Sequence, residues 1–297
     1  MIGRHSHPEP ALPEPDRIDG VPHPRQCSHL LGQDTAQAEF LAALASDRLH
    51  HAWMLTGPRG VGKASLAWRM ARVLLATPPA TGGLFTPSPP TTLDIAQNHP
   101  VARRMEAGSE PGLFVLRRPW DDKAKRLKTQ ITIDEVRKLK GFFALSAADG
   151  GRRVVIVDAA DDMNTNAANA LLKVLEEPPK NALLILVAHQ PAGLLPTIRS
   201  RCRTLRLGTL QPHDMAQALK DAEATIDPSH MAALAELAQG SVGDALHILQ
   251  GDGLKLYSDL VATLGTLPRM DRARVLALAD RCAGRQNEAR LDMTLRL

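Results

Sequence analysis

The stretch Thr56-Gly57-Pro58-Arg59-Gly60-Val61-Gly62-Lys63-Ala64 places a glycine, four residues and then Gly-Lys after a short apolar run. That is the spacing of a phosphate-binding P-loop. Glycines let backbone N–H groups turn inward around a phosphate, and the following helix adds the positive end of its dipole. Gly57, Gly60, Gly62 and Lys63 are therefore the candidate nucleotide-binding residues, with the lysine reaching the outer phosphates. A magnesium-binding hydroxyl ordinarily follows the lysine. Here that place is Ala64. Ser65 is no substitute, because one step along a helix turns a side chain by about 100°.

Asp158 closes the run Arg153-Val154-Val155-Ile156-Val157-Asp158. Its β-branched residues predict a strand buried on both faces of a parallel sheet. Open α/β sheets bind ligands at the C-terminal ends of their strands, so Asp158 stands where a Walker B carboxylate would hold magnesium. An acid that polarises the attacking water usually comes next, and the next residue is Ala159. Asp161 and Asp162 lie too far along the chain to replace it without special geometry.

These residues need a sheet to hold them. Apolar periodicity predicts a helix over 33–49 and strands around 52–55, 113–116, 153–158, 183–187 and 205–207. Helices follow the P-loop, start at Ile133, and run from 166 to 177, where Pro178-Pro179 stops the last of them. Alternating strands and helices predict an α/β fold with a parallel sheet flanked by helices. From Thr209 the pattern turns all-helical. Helices are expected over 212–221, from Asp227-Pro228 to Gly240 and over 242–249, with two or three more to the end. The expected domains are a disordered tail (1–25), a P-loop domain (26–207), a small helical lid (208–250) and a short helical segment (251–297).

Composition bounds the function. The chain has 297 residues, 44% of them apolar, and no run long enough to span a membrane. Residues 1–24 are rich in His and Pro, with no apolar core of a secretory signal. Three scattered cysteines, Cys27, Cys202 and Cys282, make neither a disulfide framework nor a Cys-x-x-Cys pair, which suits a reducing cytoplasm. A net charge of +4 permits contact with nucleic acid without requiring it, and 3% aromatic content argues against a base-stacking platform. The charged segment 117–128, with Trp120 among basic residues, reads as a solvated loop ahead of a DNA contact. His50-His51, at a helix-to-strand junction, reads as structural.

Two further stretches are Asn169-Ala170-Leu171-Leu172-Lys173-Val174-Leu175-Glu176-Glu177-Pro178-Pro179 and Thr197-Ile198-Arg199-Ser200-Arg201-Cys202. Taken with the P-loop and the Asp158 strand, they make residues 26–250 resemble the clamp-loader subunits of bacterial DNA polymerase III, in the AAA+ class. Hydrolysing members carry Lys-Thr or Lys-Ser, Asp-Glu, and an arginine in a lid motif Gly-Ser-x-Arg-x-Ala-Leu. This chain has Lys63-Ala64, Asp158-Ala159 and Gly240-Ser241-Val242-Gly243-Asp244-Ala245-Leu246. The sensor region Ala188-His189-Gln190-Pro191 also departs from their Thr-rich form.

What the resemblance implies is a non-hydrolysing subunit whose Arg201, in the intact Ser-Arg-Cys motif, acts in trans on ATP bound by a neighbour. Arg199, Arg203 and Arg206 are the other arginines that could serve. The implied partners are gamma/tau and delta subunits in a hetero-oligomeric ring, the sliding clamp, and primed DNA reached through the complex. No cofactor is required: ATP at Gly57, Gly60, Gly62, Lys63 and Asp158 is doubtful, and the interval 76–153 has no cysteine for the zinc module of many relatives. The collar segment after Gly251 is shorter than the family's. The rival reading is an active ATPase of the gamma/tau kind; a third is a DNA-binding protein using residues 117–128.

Overall fold

The computed structural model describes residues 13–15, 17–46, 49–77, 88–144, 151–284 and 287–297. The first helix, α1 (Asp34–Ala45), leads into β1 (Ala52–Thr56), the P-loop and α2 (Lys63–Ala76). A short α3 (Pro100–Glu106), β2 (Leu113–Arg117) and the two-residue strands β3 (Trp120–Asp121) and β4 (Arg126–Leu127) follow. Next come α4 (Ile133–Ala144), β5 (Arg153–Asp158), α5 (Thr165–Glu176), β6 (Ala182–Ala188), α6 (Pro196–Arg199) and β7 (Arg203–Arg206). The rest is helical: α7 (Pro212–Asp221), α8 (Met231–Ala238), α9 (Val242–Gln250), α10 (Gly253–Leu264), α11 (Arg272–Cys282) and α12 (Glu288–Arg296).

Five strands form one parallel sheet in the order β2-β5-β6-β1-β7. The sheet is buried on both faces, as its β-branched and leucine runs require. Trp53, Leu55, Val154, Ile156, Ile185 and Leu205 point to one face, packed with α1 and α2. Met54, Val155, Val157, Leu184 and Leu186 point to the other, under α4 and α5. Leu234, Ala238, Ala245 and Ile248, from α8 and α9, join the first of these clusters. The helical region after β7 thus shares its core with the sheet.

Three expectations are corrected. Residues 17–25, read as tail from their Pro and His content, are folded. The buried His23 ring stands edge-on to Trp68 at 5.6 Å. Buried Arg72 and Arg69, on α2, donate to the carbonyls of Cys27 (3.0 Å) and Ser28 (2.6 Å) just beyond. Residues 1–12 of that tail lie outside the described residues, as do 78–87 of the loop after α2. The segment 117–128 is solvated as read, with residues 122–126 exposed, but it is not plain loop: a short hairpin pairs Trp120 with Leu127 and Asp121 with Arg126. The last sheet strand begins at Arg203, two residues earlier than its apolar residues suggested, because edge position leaves its polar side chains in solvent.

The last three helices bury little. Leu256 and Cys282 are inside, whereas Val261, Leu264, Leu276 and Leu295 are exposed by half or more. Among the described residues the three cysteines are free thiols, and no helix is long and apolar enough to cross a membrane.

Candidate functional site

β1 ends at Thr56 and α2 starts at Lys63, so residues 57–62 must reverse direction in six residues. Gly57, Gly60 and Gly62 all take positive φ, at 141°, 70° and 97°, which only glycine adopts without strain. At Gly60 the space is also closed, since a Cβ would stand 2.3 Å from Ser241 Oγ and 2.8 Å from Gly243 Cα.

Every carbonyl of the loop has a donor from within the chain. Lys63 Nζ donates to Gly57 O at 2.7 Å and also to Pro58 O. Ser241 Oγ donates to Arg59 O at 2.9 Å, and Gly243 N to Gly60 O at 3.1 Å. Gln33 Nε2 donates to Val61 O at 3.2 Å, and Leu66 N to Gly62 O at 2.9 Å. Gln33 also exchanges hydrogen bonds with the Gly208 backbone, at 2.8 and 3.2 Å. The loop is therefore tied at once to the segment before α1, to the start of the helical region and to the N-terminus of α9. Ser241 is itself the N-cap of α9, accepting from Asp244 N at 3.1 Å.

Lys63 is 3% exposed. Burial pushes its ammonium down to about 8, against the opposing pull of the Asp161 and Asp158 carboxylates. Asp158 is buried at the end of β5, as expected of the Walker B position. Asp161 does not act as its neighbour: its two oxygens accept from His189 N (2.5 Å) and Gln190 N (2.9 Å), closing the end of β6. Asp162 pairs with Arg118 at 3.0 Å, and burial raises its carboxyl against that pairing. His189 is pushed down to about 4, by burial first and then by the Lys63 and Arg59 charges, so it is neutral at pH 7. Around the P-loop the structure thus assembles Gly57, Gly60, Gly62, Lys63 and Asp158. Where the family resemblance leads one to expect a metal hydroxyl, a catalytic acid and a lid cation, the chain has Ala64, Ala159 and Gly243. Among the described residues no group of three or more His, Cys, Asp or Glu could hold a metal ion.

Gln33, Ser241 and the backbone role of Gly243 are contacts that sequence reasoning missed. The Ser241 N-cap was the one local signal available, a serine ahead of the α9 pattern.

Arg201 stands elsewhere. It follows α6 and immediately precedes β7, whose Arg203 is in register with Trp53 near the start of β1 and whose Arg206 is in register with Thr56. Since the strands are parallel, Arg201 lies at their N-terminal edge and the P-loop at their C-terminal ends. The intervening β1 is five residues long, roughly 16 Å at the usual rise. Arg201 Nη1 donates to Thr197 O at 3.0 Å, and Nη2 is 2.8 Å from Glu176 Oε1. Of the other arginines in this stretch, Arg203 is paired with Glu39 and lies over the Trp53 ring, while Arg199 and Arg206 are exposed. Burial pushes the Cys202 thiol up to about 12, which makes it a packing group and not a nucleophile.

A family model described as DNA polymerase III, delta subunit, matches residues 32–211. The chain is 42% identical over 152 residues to DNA polymerase III subunit delta' of Pseudomonas aeruginosa, covering 51% of this chain and 41% of that protein. It is 31% identical over 210 residues to subunit delta' of Bacillus subtilis, covering 71% and 57%. Over 253 residues it is 30% identical to subunit tau of Escherichia coli, covering 82% and 36%. The chain spans between 36% and 57% of the length of these curated relatives. With the family model matched over more than half of its residues and delta' subunits of two bacteria among its relatives, the chain belongs to the DNA polymerase III delta' subunit family.

Proposed function

We propose that the chain is the non-hydrolysing delta' subunit of a DNA polymerase III clamp loader and supplies Arg201 in trans to a neighbour's ATP. It sits beside a gamma/tau subunit, with a delta subunit completing the ring, in the cytoplasm. The ring loads the sliding clamp on primed DNA in replication. Residues 208–250 serve as the lid and 251–297 as a partial collar. The chain is part of a DNA-directed DNA polymerase assembly and turns over nothing alone. Its P-loop requires no nucleotide, and the interval 76–153, which has no cysteine, carries no zinc module.

The observation that carries this reading is the separation of Arg201 from its own P-loop across the length of the sheet. A side chain on that edge faces whatever docks there. A guanidinium is permanently charged and presents a fixed fork of donors, so it can meet charge building on a transferring phosphoryl group. The chain's own loop supports the other half of the reading. Its lysine is turned onto the loop's own carbonyls, and although Asp158 is retained, the places of the magnesium-binding hydroxyl and the water-orienting acid hold the methyls of Ala64 and Ala159.

The test is clamp- and DNA-stimulated ATP turnover by the reconstituted loader, with this chain unmodified, as Arg201→Ala and as Lys63→Ala. The expected result is loss of turnover at one site with Arg201→Ala and little change with Lys63→Ala. A damaging Lys63→Ala with a silent Arg201→Ala would instead establish the rival, an active ATPase of the gamma/tau kind. What favours that rival is the retention of Gly57, Gly60, Gly62, Lys63 and Asp158 in P-loop geometry.

A further inference from the structure

We infer that Glu176 is a positioning residue for Arg201, an inference that rests on the reading of Arg201 as a finger acting in trans. Glu176 is the last residue of α5, and Thr197 lies within α6. From these two elements the chain contacts both terminal nitrogens of the guanidinium, at 2.8 Å through the Glu176 carboxylate and 3.0 Å through the Thr197 carbonyl. Those bonds use two of the five N–H donors of an arginine. The others stay available to an acceptor arriving from outside, and the side chain is 36% exposed.

The geometry answers a problem set by the edge position. A long side chain in the short connection between α6 and β7 spreads over many rotamers, and a finger spread in that way meets a phosphate in the right orientation only part of the time. The Thr197 contact is to backbone and only four residues away, so it ties one terminal nitrogen to the turn of α6. Glu176 approaches from a different helix and fixes the direction of the plane. Its position is set by the end of α5, where Pro178 and Pro179 prevent a further turn. The sequence thus fixes where the carboxylate stands, and the fold brings it to the arginine across 25 positions of chain.

A purely structural role predicts something different. Glu176 is 48% exposed, and an ion pair between two half-exposed side chains adds little to stability. Its loss would scarcely move the melting temperature. Its effect belongs in the transition state of the neighbour's reaction, so it appears in kcat for ATP and not in KM.

The experiment is a double-mutant cycle in the reconstituted loader, measuring kcat and KM for clamp- and DNA-stimulated ATP turnover. The variants are Glu176→Ala, Glu176→Gln, Arg201→Ala and Glu176→Ala with Arg201→Ala. We expect Glu176→Ala to lower kcat at the site that Arg201 serves by about two- to fivefold, the factor corresponding to an exposed ion pair, with KM unchanged. Glu176→Gln, which keeps an acceptor oxygen, recovers part of that loss. In the Arg201→Ala background the second substitution has no further effect. The same fold-loss in both backgrounds, or no loss from Glu176→Ala while Arg201→Ala is damaging, overturns the positioning role and leaves the finger standing. A silent Arg201→Ala removes the finger itself and the inference with it.

Discussion

The two ends of the parallel sheet treat their charged groups in opposite ways. At the C-terminal ends of the strands, Lys63 is buried and donates to its own loop, with Ser241, Gly243 and Gln33 covering the remaining carbonyls. At the N-terminal edge, Arg201 is held by two contacts and remains over a third exposed. One cation is satisfied inside the chain and the other is aimed outward. The difference teaches that keeping a motif's spacing does not fix which way its charge is directed. A P-loop can persist because its glycines are needed for packing: a Cβ at Gly57 would come within 2.3 Å of the Leu207 carbonyl, whatever the loop binds.

The comparison breaks most visibly in the turnover assay. Arg201→Ala is expected to slow the one site it serves by about 10³- to 10⁵-fold, the range for fingers supplied in trans. Lys63→Ala leaves the rate nearly unchanged. Equal damage from both would erase the distinction between the two edges.

The closed character of the P-loop end is tested by Gly243→Ala. A Cβ there would stand 2.7 Å from Gly60 Cα, backbone that has no rotamer to move aside. We expect a loss of about 1–3 kcal/mol in urea unfolding, the usual cost of overpacking. A neutral result would mean that α9 moves freely on the loop.

Proton linkage sharpens the same point. The folded-state pKa of Lys63 lies at about 8, below its ordinary 10.5. The unfolded chain therefore binds more protons than the folded one between these values, and this residue's contribution to stability rises as pH increases through that window. Below pH 8 the buried charge is a full penalty. Stability of the wild type relative to Lys63→Met should rise by about 1–3 kcal/mol from pH 7.5 to 10.5, read from paired denaturant curves. A flat difference would show that the amine is solvated. The smallest expected effect is that of Glu176→Ala, at about two- to fivefold in kcat.

Much of this contrast was legible in the residues. The P-loop and the Asp158 strand are local patterns that their spacing located, whereas the Ser200-Arg201-Cys202 stretch stood out only through the family resemblance. The substitutions Ala64 and Ala159 were legible from the same local patterns, and Gly243 from the family's lid motif. The hydrogen bonds between Ser241 and Arg59 and between Gln33 and Gly208 span 182 and 175 positions, and no local pattern encodes them. Residues 17–25 were misread because Pro and His content measures how little a segment can bury, not what it can be bonded to. Buried arginines on α2 hold the chain just beyond them through its backbone carbonyls, which have no signature in composition. The hairpin at 117–128 was missed because strands of two residues carry no periodicity to detect.

By itself, then, the sequence determined the elements and the chemical inventory: which strands are buried, where a phosphate loop can form, and which catalytic side chains are replaced. Those follow from side-chain period and local backbone preference. Only the tertiary structure decided the direction each charge faces. Parallel strand order places Arg201 and Lys63 at opposite ends of the sheet, and packing of α9 on Gly60 turns one end inward. Orientation is a property of the assembled sheet, because it depends on contacts between residues far apart in the chain.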